Sequence, residues 1–324
     1  MRVLVISYEW PPIGGGMGRR VREYVGSLPK EVKVDVVTSA TYTVLDNHYS
    51  SNVNICSLAV KKKDPMRWTA IELLLWSWKA KLWAKRIYKD RKHDVIHVFG
   101  GMPGVFISPD LNKTIVSLSG SDVPGFSDRT SLLYKIIPYK SLMRRCVLVA
   151  NSEHFARMAE NVFKIDIGSI PTPYTTRGFV DGPRNGKAIY IARDVPRKQI
   201  KKAFEVAEKS RVPLDVICDE QHQRVKELLP NYSYYLCTSK AEGMSMAMIE
   251  AMDAGLPVIT SPCGGHDELV INYVTGLCSR LLISSLSIAK HRTWDRRTIH
   301  DHVNKVCQPE KVVNAYMKLY KEIK

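Results

Sequence analysis

The chain lacks any long apolar run. No stretch of its 324 residues approaches the roughly 20 apolar residues that a membrane-spanning helix needs, which predicts no transmembrane segment. The start, from Met1 to Ser7, has the pattern of a strand, and it lacks the longer apolar core and small-residue cleavage site of a signal peptide. We therefore expect a cytoplasmic protein whose contact with a membrane, if it makes one, is peripheral.

Metal-ligand spacing is also absent. The seven cysteines are odd in number, scattered, and mostly set in apolar runs, which is typical of reduced core residues. No Cys-x-x-Cys pair and no histidine cluster has the spacing of metal ligands, and the nine histidines are dispersed. We predict neither a bound metal nor a cofactor.

Acidic residues are too few to balance the basic ones. The chain has 48 Lys and Arg against 32 Asp and Glu, a formal charge of +16. Half of that excess lies between residues 61 and 92, where eleven Lys or Arg accompany three acidic residues and four of the six tryptophans. A basic, tryptophan-rich helix is a candidate for contact with an anionic membrane surface. Nucleic acid binding is disfavoured, because no recognisable RNA or DNA module accompanies the charge.

The same segment allows a plainer interpretation, an outer helix whose apolar stripe covers a sheet and whose lysines are solvated. At helical spacing the stripe consists of Trp68, Ile71, Leu75, Trp78 and Leu82. Both alternatives remain open at the level of the sequence.

Strand and helix patterns alternate along the chain, which predicts the α/β class with parallel, doubly wound sheets. Predicted strands in the first half are 3–7, 32–38, 53–58, 94–99, 114–118 and 147–151, with helices near 17–28, 68–89, 130–145 and 153–162. Predicted strands in the second half are 188–192, 214–218 and 234–238, with helices at 198–209 and 222–229. The stretch 171–187, rich in Pro and Gly, is typical of a linker, so we predict two Rossmann-like domains, 1–178 and 179–307.

One segment, from Glu242 to Gly265, places two carboxylates around a predicted helix start. Gly243 permits a sharp turn, and a helix beginning near Ser245 directs its free N–H groups and the positive end of its dipole toward Glu242. That is an anion site, and the residues assigned to it are Gly243, Met244, Ser245 and Met246. Glu250 lies about one and a half turns into the helix, so the two carboxylates can hold different parts of one extended ligand.

This spacing alone also fits a helix N-terminal charge plus a solvated surface glutamate. The flanking residues favour the site. A buried-type strand, 257–261, follows the helix and ends in the glycine turn Gly264-Gly265. Repeated strand, glycine turn and helix patterns present backbone N–H groups at the carboxyl edge of an α/β sheet.

A second element, Arg193-Asp-Val-Pro-Arg-Lys198, follows the predicted strand 188–192 directly. Arg193 can bind two oxygens in one plane and Lys198 supplies a mobile point charge, so the pair suits a pyrophosphate. Such a pair is often an ordinary surface loop, and its position one edge loop from Glu242 is what favours the functional interpretation.

A third element is the glycine loop between the first strand and the first helix. Gly14, Gly15 and Gly16 allow the backbone to approach a ligand closely, and the helix start can face a phosphate. The rival interpretation is a dinucleotide fold with Asp35 as the ribose partner. It is weak, because Arg19 stands where the last glycine of a Gly-x-Gly-x-x-Gly pattern would be.

The segment 242–265 resembles the signature of retaining glycosyltransferases of the GT-B fold, family four (glycosyl transferases group 1), in which a Glu-x7-Glu motif and a following Gly-Gly-x-x-Glu turn bind a nucleotide sugar. Segment 192–199 is similar to the family's Gly-Arg-x4-Lys-Gly motif, with Ala192 and Gln199 in place of the glycines. Segment 11–16 resembles its Pro-Pro-x-x-Gly-Gly loop, which lies between donor and acceptor.

The segment 114–122 looks like the family stretch that ends in His-Gly-x-Asp, with Ser119 at the histidine position. In the family that histidine contacts the transferred sugar, so Ser119 either substitutes as a neutral partner or leaves the sugar held differently. Asp122 is either an N-cap or a contact with the acceptor. Segment 216–221 lacks the family's Gly-Asp-Gly turn near the base, which leaves the choice of nucleotide open.

The resemblance implies two Rossmann-like domains facing across a cleft, with the closing helix 308–324 completing the first. It implies transfer of a sugar from a nucleotide-diphosphate sugar to a hydroxyl of a glycan, lipid or polymer, with retention of configuration. Arg193, Lys198 and the helix start would neutralise the departing diphosphate without a divalent metal. Glu242 would orient the sugar and Glu250 would accept hydrogen bonds from the ribose.

Two other functions compete with this one. A GT-B-like sugar nucleotide epimerase or hydrolase needs the same diphosphate site but no acceptor surface. A catalytically idle protein that binds membranes or nucleic acid through its basic surface is the other, because Ser119 and a short second domain are what lost activity would leave. The basic segment 61–92 favours a transferase at the inner face of the membrane, close to lipid or polymer acceptors.

Overall fold

A computed structural model describes residues 1–40, 51–60, 62, 64, 67–118, 120, 122–124, 138–179, 181–218, 220 and 222–323. The chain forms two compact units, the first made of Met1–Pro173 together with Pro309–Lys324 and the second of Tyr174–Gln308. The predicted boundary at residue 178 lies inside the second unit. No described helix is long and apolar enough to cross a membrane.

The first unit is built on a parallel sheet of seven strands in the order β3-β2-β1-β4-β5-β6-β7. Its strands are β1 Arg2–Ser7, β2 Lys33–Ala40, β3 Val53–Ala59, β4 Val95–Phe99, β5 Thr114–Ser117, β6 Val147–Ala150 and β7 Gly168–Ser169. The central strands are runs of Val and Ile because a parallel sheet is covered on both faces. In β1, Leu4 and Ile6 join one core cluster while Val3 and Val5 join the other.

Helices connect these strands, as the alternating pattern predicts. The described helices of the first unit are α1 Gly16–Gly26, α2 Ala70–Arg91, α3 Gly101–Ile107, α4 Tyr139–Met143, α5 Glu153–Phe163 and, from the end of the chain, α12 Pro309–Ile323. The predicted helix 130–145 is described only from residue 138 onward, and the part before it lies outside the described residues. The short helix α3 and strand β7 were not predicted.

The second unit is built on a parallel sheet of five strands in the order β12-β11-β10-β8-β9. Its strands are β8 Ala188–Ile191, β9 Leu214–Ile217, β10 Tyr234–Cys237, β11 Val258–Thr260 and β12 Gly276–Cys278. Its helices are α6 Ile200–Lys209, α7 His222–Leu228, α8 Met246–Asp253, α9 His266–Leu269, α10 Leu282–Lys290 and α11 Arg296–Cys307. One hydrophobic cluster, in which Ile189, Leu236 and Ile259 are fully buried, holds this unit together.

Helix α2 packs on the first unit through a different face from the apolar stripe that the sequence predicts for an outer helix. Its buried residues are Trp76, Ala80 and Ala84, which follow one another at intervals of four along the helix. Four members of the predicted stripe, Ile71, Leu75, Trp78 and Leu82, point outward instead and are more than half exposed, as is the neighbouring Leu74. The fifth member, Trp68, is partly buried and packs against the core of the first unit. The interpretation in which this stripe covers the sheet is therefore wrong, because alanines and one tryptophan make that contact.

The last helix, α12, packs against the first sheet through a buried polar network. The hydroxyl of Tyr316 lies 2.7 Å from Ser117 Oγ and accepts a hydrogen bond of 3.1 Å from Arg20. Tyr320 hydrogen-bonds both His97 and Tyr24. Burial and the neighbouring Arg20 hold the pKa of His97 well below its usual 6.5, so this imidazole stays neutral inside the network.

Asp35 belongs to a separate polar cluster in the body of the sheet. Its carboxylate accepts a hydrogen bond from Asn54 and pairs with His93 at 2.8 Å and with Arg91. Asp35 is the third residue of β2, and Arg2 at the start of β1 lies 3.7 Å away, so the cluster sits toward the amino end of the strands. A ribose would bind at the opposite edge, so the dinucleotide interpretation loses its ribose partner.

Candidate active site

The strand order of each sheet defines where a ligand is expected. In an open parallel sheet, ligands bind outside the carboxyl ends of the strands, at the point where the strand order reverses. In the second unit the chain runs from β8 to β9 on one side and then to β10 on the other, so this point lies between β8 and β10. The loops that leave these two strands carry Lys198 and Glu242.

Those two loops bring Lys198, Arg197 and Glu242 together. The ammonium group of Lys198 is hydrogen-bonded to the carboxylate of Glu242, and the Arg197 guanidinium lies 3.5 Å from the same oxygen. Lys198 is 8% exposed and Glu242 is 9% exposed, so the cluster is largely shielded from water. Of the two cations predicted for a pyrophosphate, Lys198 thus already has a carboxylate partner within its own unit.

The ionisation of Glu242 follows from that cluster. Burial alone raises the pKa of this carboxyl, but the charges of Lys198 and Arg197 and the Lys198 hydrogen bond outweigh burial and lower the pKa from 4.5 to about 2. Glu242 is therefore an anion at neutral pH. It can accept hydrogen bonds from hydroxyl groups, but it has no proton to donate.

Backbone contacts fix the two loops to each other. The N–H of Lys240 donates to the carbonyl of Arg197, and the Arg197 side chain donates to the carbonyl of Ala241. The Lys198 carbonyl accepts from the hydroxyls of Tyr190 and Thr238. These bonds hold Lys198 beside Glu242 without help from a ligand.

Gln199 explains part of the loop's shape. It has φ +50° and ψ +48°, the left-handed conformation that glycine adopts most easily, and helix α6 begins directly after it. This is the position at which the resembled motif has its last glycine. The chain therefore keeps the backbone turn although it lacks the residue that favours it.

The turn Gly264-Gly265 packs directly on the Glu242 loop. Gly264 has φ +59°, and a Cβ there would collide with the carbonyl of Glu242. The N–H of Gly265 donates to the carbonyl of Gly243 over 3.1 Å. The double glycine thus packs closely against the backbone of Glu242 and Gly243 and supports it.

Helix α8 begins where the sequence predicts. Ser245 is its N-cap and the helix runs over Met246–Asp253, with no side-chain hydrogen bond capping its first amide groups. Gly243, Met244, Ser245 and Met246 are buried and form the turn that connects Glu242 to this helix start. Free N–H groups at the end of a helix favour an anion.

Glu250 lies on the buried side of α8. It is 2% exposed, and its carboxylate lies 3.2 Å from Nδ1 of His222, whose side chain is about one third exposed. His222 is the first residue of α7 and sits at the surface above the glutamate. A ligand group that reaches Glu250 would meet His222 first.

Arg193 stands apart from the Glu242 cluster. It follows β8 and is partly exposed, and among the described residues no carboxylate pairs with it. Its guanidinium is thus available at the carboxyl edge of the second sheet, whereas the contact with Glu242 is made by Arg197.

His266 supports the site from inside the sheet. It is fully buried at the start of α9, and its Nδ1 lies 2.7 Å from the hydroxyl of Thr260. Burial lowers its pKa from 6.5 to about 4, against the opposing attraction of Glu242. A neutral histidine held in this way is a structural residue.

In the first unit the strand order reverses between β1 and β4, and the loop 8–15 leaves β1 at that point. The start of α1 is occupied by a side chain of the protein itself. The carboxylate of Glu9 accepts hydrogen bonds of 2.9 Å from the N–H of Gly15 and 3.3 Å from that of Gly18. A phosphate at these amides would have to displace Glu9, which the expectation for this helix start did not include.

The glycines of this loop make room for the same carboxylate. Gly14 has φ +85°, and a Cβ there would collide with the side chain of Glu9. Contact of Gly14, Gly15 and Gly16 with a ligand remains a prediction, since their observed role is to let Glu9 reach the helix.

The fourth predicted element follows β5. Asp122 is 2% exposed, and its carbonyl accepts a hydrogen bond of 2.9 Å from the hydroxyl of Tyr139. The preceding β5 ends at Ser117, so Asp122 lies in the loop at the carboxyl edge of the first sheet. Ser119 lies outside the described residues, and its role stays a prediction.

Three residues at these edges were missed in the sequence. Arg197 was passed over because a loop with two arginines and one lysine does not reveal which guanidinium turns toward a distant carboxylate. His222 and Glu9 were missed because their partners are 28 and 6 residues away in the chain, as the contacts His222–Glu250 and Glu9–Gly15 show. The one signal was the presence of a glutamate in the loop after β1 and of a histidine at the start of the helix that follows β9.

Comparison with known proteins defines the class. Residues 214–280 match the family described as Glycosyl transferases group 1, a range that contains Glu242, Glu250 and the double glycine turn. The two parallel-sheet units match solved glycosyltransferase structures of the GT-B fold. The chain thus has the GT-B fold, and part of its second unit matches the model of group 1 glycosyl transferases.

Particular relatives share this fold at low identity. Sucrose-phosphate synthase from Thermosynechococcus elongatus superimposes with a TM-score of 0.76 at 16% identity, over 99% of this chain and 98% of that chain. HepE from Anabaena, solved with UDP and glucose, has a TM-score of 0.68 at 13% identity, over 99% and 100% of the two chains. At these identities the likeness is one of fold.

By sequence, the chain is similar to the phosphatidylinositol N-acetylglucosaminyltransferase GPI3 subunit of Saccharomyces cerevisiae. The two are 24% identical over 110 residues, which is 32% of this chain and 24% of the yeast protein. The similarity therefore spans about a quarter of the length of the yeast protein.

Proposed function

We propose that this chain is a glycosyltransferase that moves a sugar from a nucleotide-diphosphate sugar to an acceptor hydroxyl, with retention of anomeric configuration and without a divalent metal. The observation that carries the proposal is the cluster of Lys198, Arg197 and Glu242 beside the uncapped start of α8, where the second sheet reverses its strand order. The family match over residues 214–280 supports the same chemistry.

In this proposal the diphosphate binds between the cations and the helix start. Breaking the bond between sugar and phosphate leaves negative charge on the departing diphosphate, and stabilisation of that charge lowers the barrier. Lys198, Arg193 and Arg197 provide the positive charge, and the amides at the start of α8 add hydrogen bonds without proton transfer. Arg197 joins the predicted pair because it already contacts the cluster.

Glu242 orients the sugar and balances the cations before the donor arrives. Its pKa of about 2 makes it an acceptor for sugar hydroxyls at neutral pH and rules it out as a general acid there. The proton of the attacking acceptor hydroxyl then passes to the leaving phosphate, on the same face of the sugar, which gives retention.

Glu250 accepts hydrogen bonds from the ribose hydroxyls. Its carboxylate is buried beneath His222, so the ribose would replace the contact that His222 Nδ1 makes over 3.2 Å. His222 is partly exposed and belongs to the first turn of a short helix, which makes it the side chain on this path that can move.

The acceptor is a glycan or a lipid-linked molecule, and we infer a cytoplasmic protein that works at the inner face of the membrane. The name of the yeast relative gives a phosphatidylinositol N-acetylglucosaminyltransferase, which supports a lipid-linked acceptor for this chain. The basic charge of the segment 61–92 supports the location.

The decisive experiment offers the full chain a panel of UDP-, GDP- and ADP-sugars and measures nucleotide release with and without cell lipids. Release only with an acceptor supports transfer. Release without any acceptor would indicate a hydrolase, and epimerised donor without release an epimerase. If the chain bound none of these donors, the result would support an idle fold and contradict the proposal.

Lys198→Met tests the cation in this reaction. We expect donor turnover to fall by about 100-fold or more, because one lost charge at a developing phosphate anion costs several kcal/mol. The same change leaves the buried carboxylate of Glu242 with less compensation and should lower the free energy of unfolding by about 3 kcal/mol.

The double variant Lys198→Met/Glu242→Gln separates these two effects. It removes the uncompensated buried carboxylate and leaves only the partly exposed Arg197 without its acidic partner, so it should recover part of the lost stability while turnover stays low. Chemical denaturation and the turnover assay measure the two quantities. Full turnover in the stable double variant would remove Lys198 and Glu242 from the mechanism.

A further inference from the structure

The outward face of α2 is apolar over its first half. Five side chains share this face: Ile71 71% exposed, Leu74 70%, Leu75 57%, Trp78 64% and Leu82 52%. Trp83 adds a further 42% exposed ring at its border. Apolar groups of this size seldom stand exposed together on one side of a helix unless they meet a partner. We call these six residues the outer face of α2.

The outer face is not an accident of a loosely attached helix. Trp76, Ala80 and Ala84 anchor the other side of α2 and are fully buried in the first unit. A capping box between Thr69 and Glu72 fixes the start of the helix. The helix is therefore held rigidly, with its apolar outer residues directed away from the sheet it covers.

Basic residues continue the same side of the helix beyond the apolar part. Lys85, Arg86 and Lys89 are exposed in the following turns, and Lys81 is exposed beside Leu82. The helix Ala70–Arg91 contains six Lys or Arg and two acidic residues. Among the residues that the structure describes, no carboxylate pairs with Lys81, Lys85 or Lys89.

We propose that the outer face of α2 docks the protein on an anionic lipid bilayer. Leucine and tryptophan side chains would enter the boundary between headgroups and acyl chains, and Lys81, Lys85 and Lys89 would contact lipid phosphates. A helix that lies in the interface needs both parts, an apolar face to insert and cations beside it. This surface is separate from the donor site of the second unit, so docking does not depend on the proposed reaction.

The charges favour a membrane over a second copy of the chain. Two copies meeting through this face with parallel helices would bring their basic turns close together, and with antiparallel helices would place the basic turns of each over the apolar half of the other, so neither arrangement gives the lysines an anionic partner. An anionic surface instead attracts every one of these lysines. Charge complementarity therefore selects the bilayer among the partners that an apolar face could take.

The test is co-sedimentation of the full chain with two kinds of vesicles, phosphatidylcholine alone and an equal mixture of phosphatidylcholine and phosphatidylglycerol. We expect binding to the mixed vesicles, weak binding to the neutral ones, and weaker binding as salt rises. Lys81→Glu/Lys85→Glu/Lys89→Glu should reduce the affinity by about 100-fold or more. Leu74→Gln/Leu75→Gln/Trp78→Gln should reduce it by at least about tenfold.

Matched variants control for charge and for apolar surface. Lys311→Glu/Lys318→Glu/Lys321→Glu makes the same change of charge on the exposed side of α12, and Ile271→Gln/Leu281→Gln/Ile288→Gln removes exposed apolar residues from the second unit. Both should bind mixed vesicles within about threefold of the wild type, since neither touches α2.

Three results would overturn the proposal. One is that the wild-type chain binds neither kind of vesicle. Another is equal binding by the wild type and both α2 variants. The third is a dimer in light scattering that the leucine and tryptophan changes abolish while vesicle binding is absent, which would assign the outer face to a second copy. Donor binding measured without lipid should be unchanged in the α2 variants, which keeps this test independent of the enzymatic one.

Discussion

At the scale of single residues, burial and charge decide which groups of the second unit carry a proton. Glu242 stays ionised because two cations outweigh the cost of its burial, whereas His266, with a carboxylate nearby, stays neutral because burial outweighs that attraction. At neutral pH one residue is thus an anion and the other is neutral, within one small region. Neither state could be inferred from the sequence, since each depends on contacts made by the folded loops.

The low pKa of His266 makes the stability of the protein depend on pH. Between pH 6.5 and about 4 the folded protein keeps this imidazole neutral while the unfolded chain protonates it. The free energy of unfolding should therefore decrease as the pH falls through this window, by about 3 kcal/mol from this residue. His266→Gln should show a flatter dependence in urea unfolding measured across the window. Identical slopes for the two proteins would contradict the assignment.

At the scale of elements, Gln199 shows a turn that the sequence kept without its usual residue. The left-handed conformation costs a residue with a side chain about 1 kcal/mol or more, and glycine avoids this cost. Glycine also gives the unfolded chain more conformational freedom, which cancels part of the gain in stability. We expect Gln199→Gly to raise the free energy of unfolding by about 0.5 kcal/mol. Chemical denaturation measures the change.

A glycine inside the following helix provides the control for that prediction. Lys202→Gly lies in α6, where the backbone is right-handed, and should lower stability by about 1 kcal/mol. Destabilisation by both substitutions would show that the turn at residue 199 is unstrained or that its side chain makes a stabilising contact.

The alternation of strands and helices was readable because Val and Ile runs and amphipathic helices have clear periods. Strand β2, predicted at 32–38, is observed at Lys33–Ala40, and helix α5, predicted at 153–162, ends at Phe163. Helix α2 was also predicted, but the residues that it buries were not. Alanines make a poor signal for burial, so Ala80 and Ala84 were outweighed by the leucines and tryptophans that face outward.

The candidate site was predictable to the extent that it depends on order along the chain. Motifs placed directly after strands converge at one edge of a parallel sheet, and this brought Lys198 near Glu242. The direction of a side chain within a loop has no such rule. That is why Arg193 was predicted to act with Lys198, while Arg197 makes the contact with Glu242.

At the scale of the whole molecule, the two compact units have their own sheets and cores, and the first includes both ends of the described chain. Tyr316 on α12 joins the last helix to the rest of the first unit by hydrogen bonds to Ser117 at the end of β5 and to Arg20 on α1. Its ring is fully buried, and although Ser117 also contacts His97 and Arg20 also donates to the Leu118 carbonyl, the Tyr316 hydroxyl is a shared partner of both residues.

Tyr316→Phe should therefore destabilise the first unit. Removing the hydroxyl deletes two buried hydrogen bonds and should lower the free energy of unfolding of that unit by about 2 kcal/mol. Hydrogen exchange of the amides in β4 and β5 should accelerate, while the amides of β10 and β11 should exchange at their original rates. Equal acceleration in both sheets would show that the effect is not confined to the unit that contains the tyrosine.

The place of α12 has a consequence for the order in which the protein matures on the ribosome. The residues of the second unit, Tyr174–Gln308, emerge without interruption, so that unit can fold as soon as its last helix leaves the exit tunnel. The first unit is synthesised earlier, yet its sheet lacks the cover of Tyr316 and Tyr320 until Pro309–Ile323 has been made. The first unit, although most of it is synthesised before the second, therefore cannot complete its core until the second unit has been synthesised.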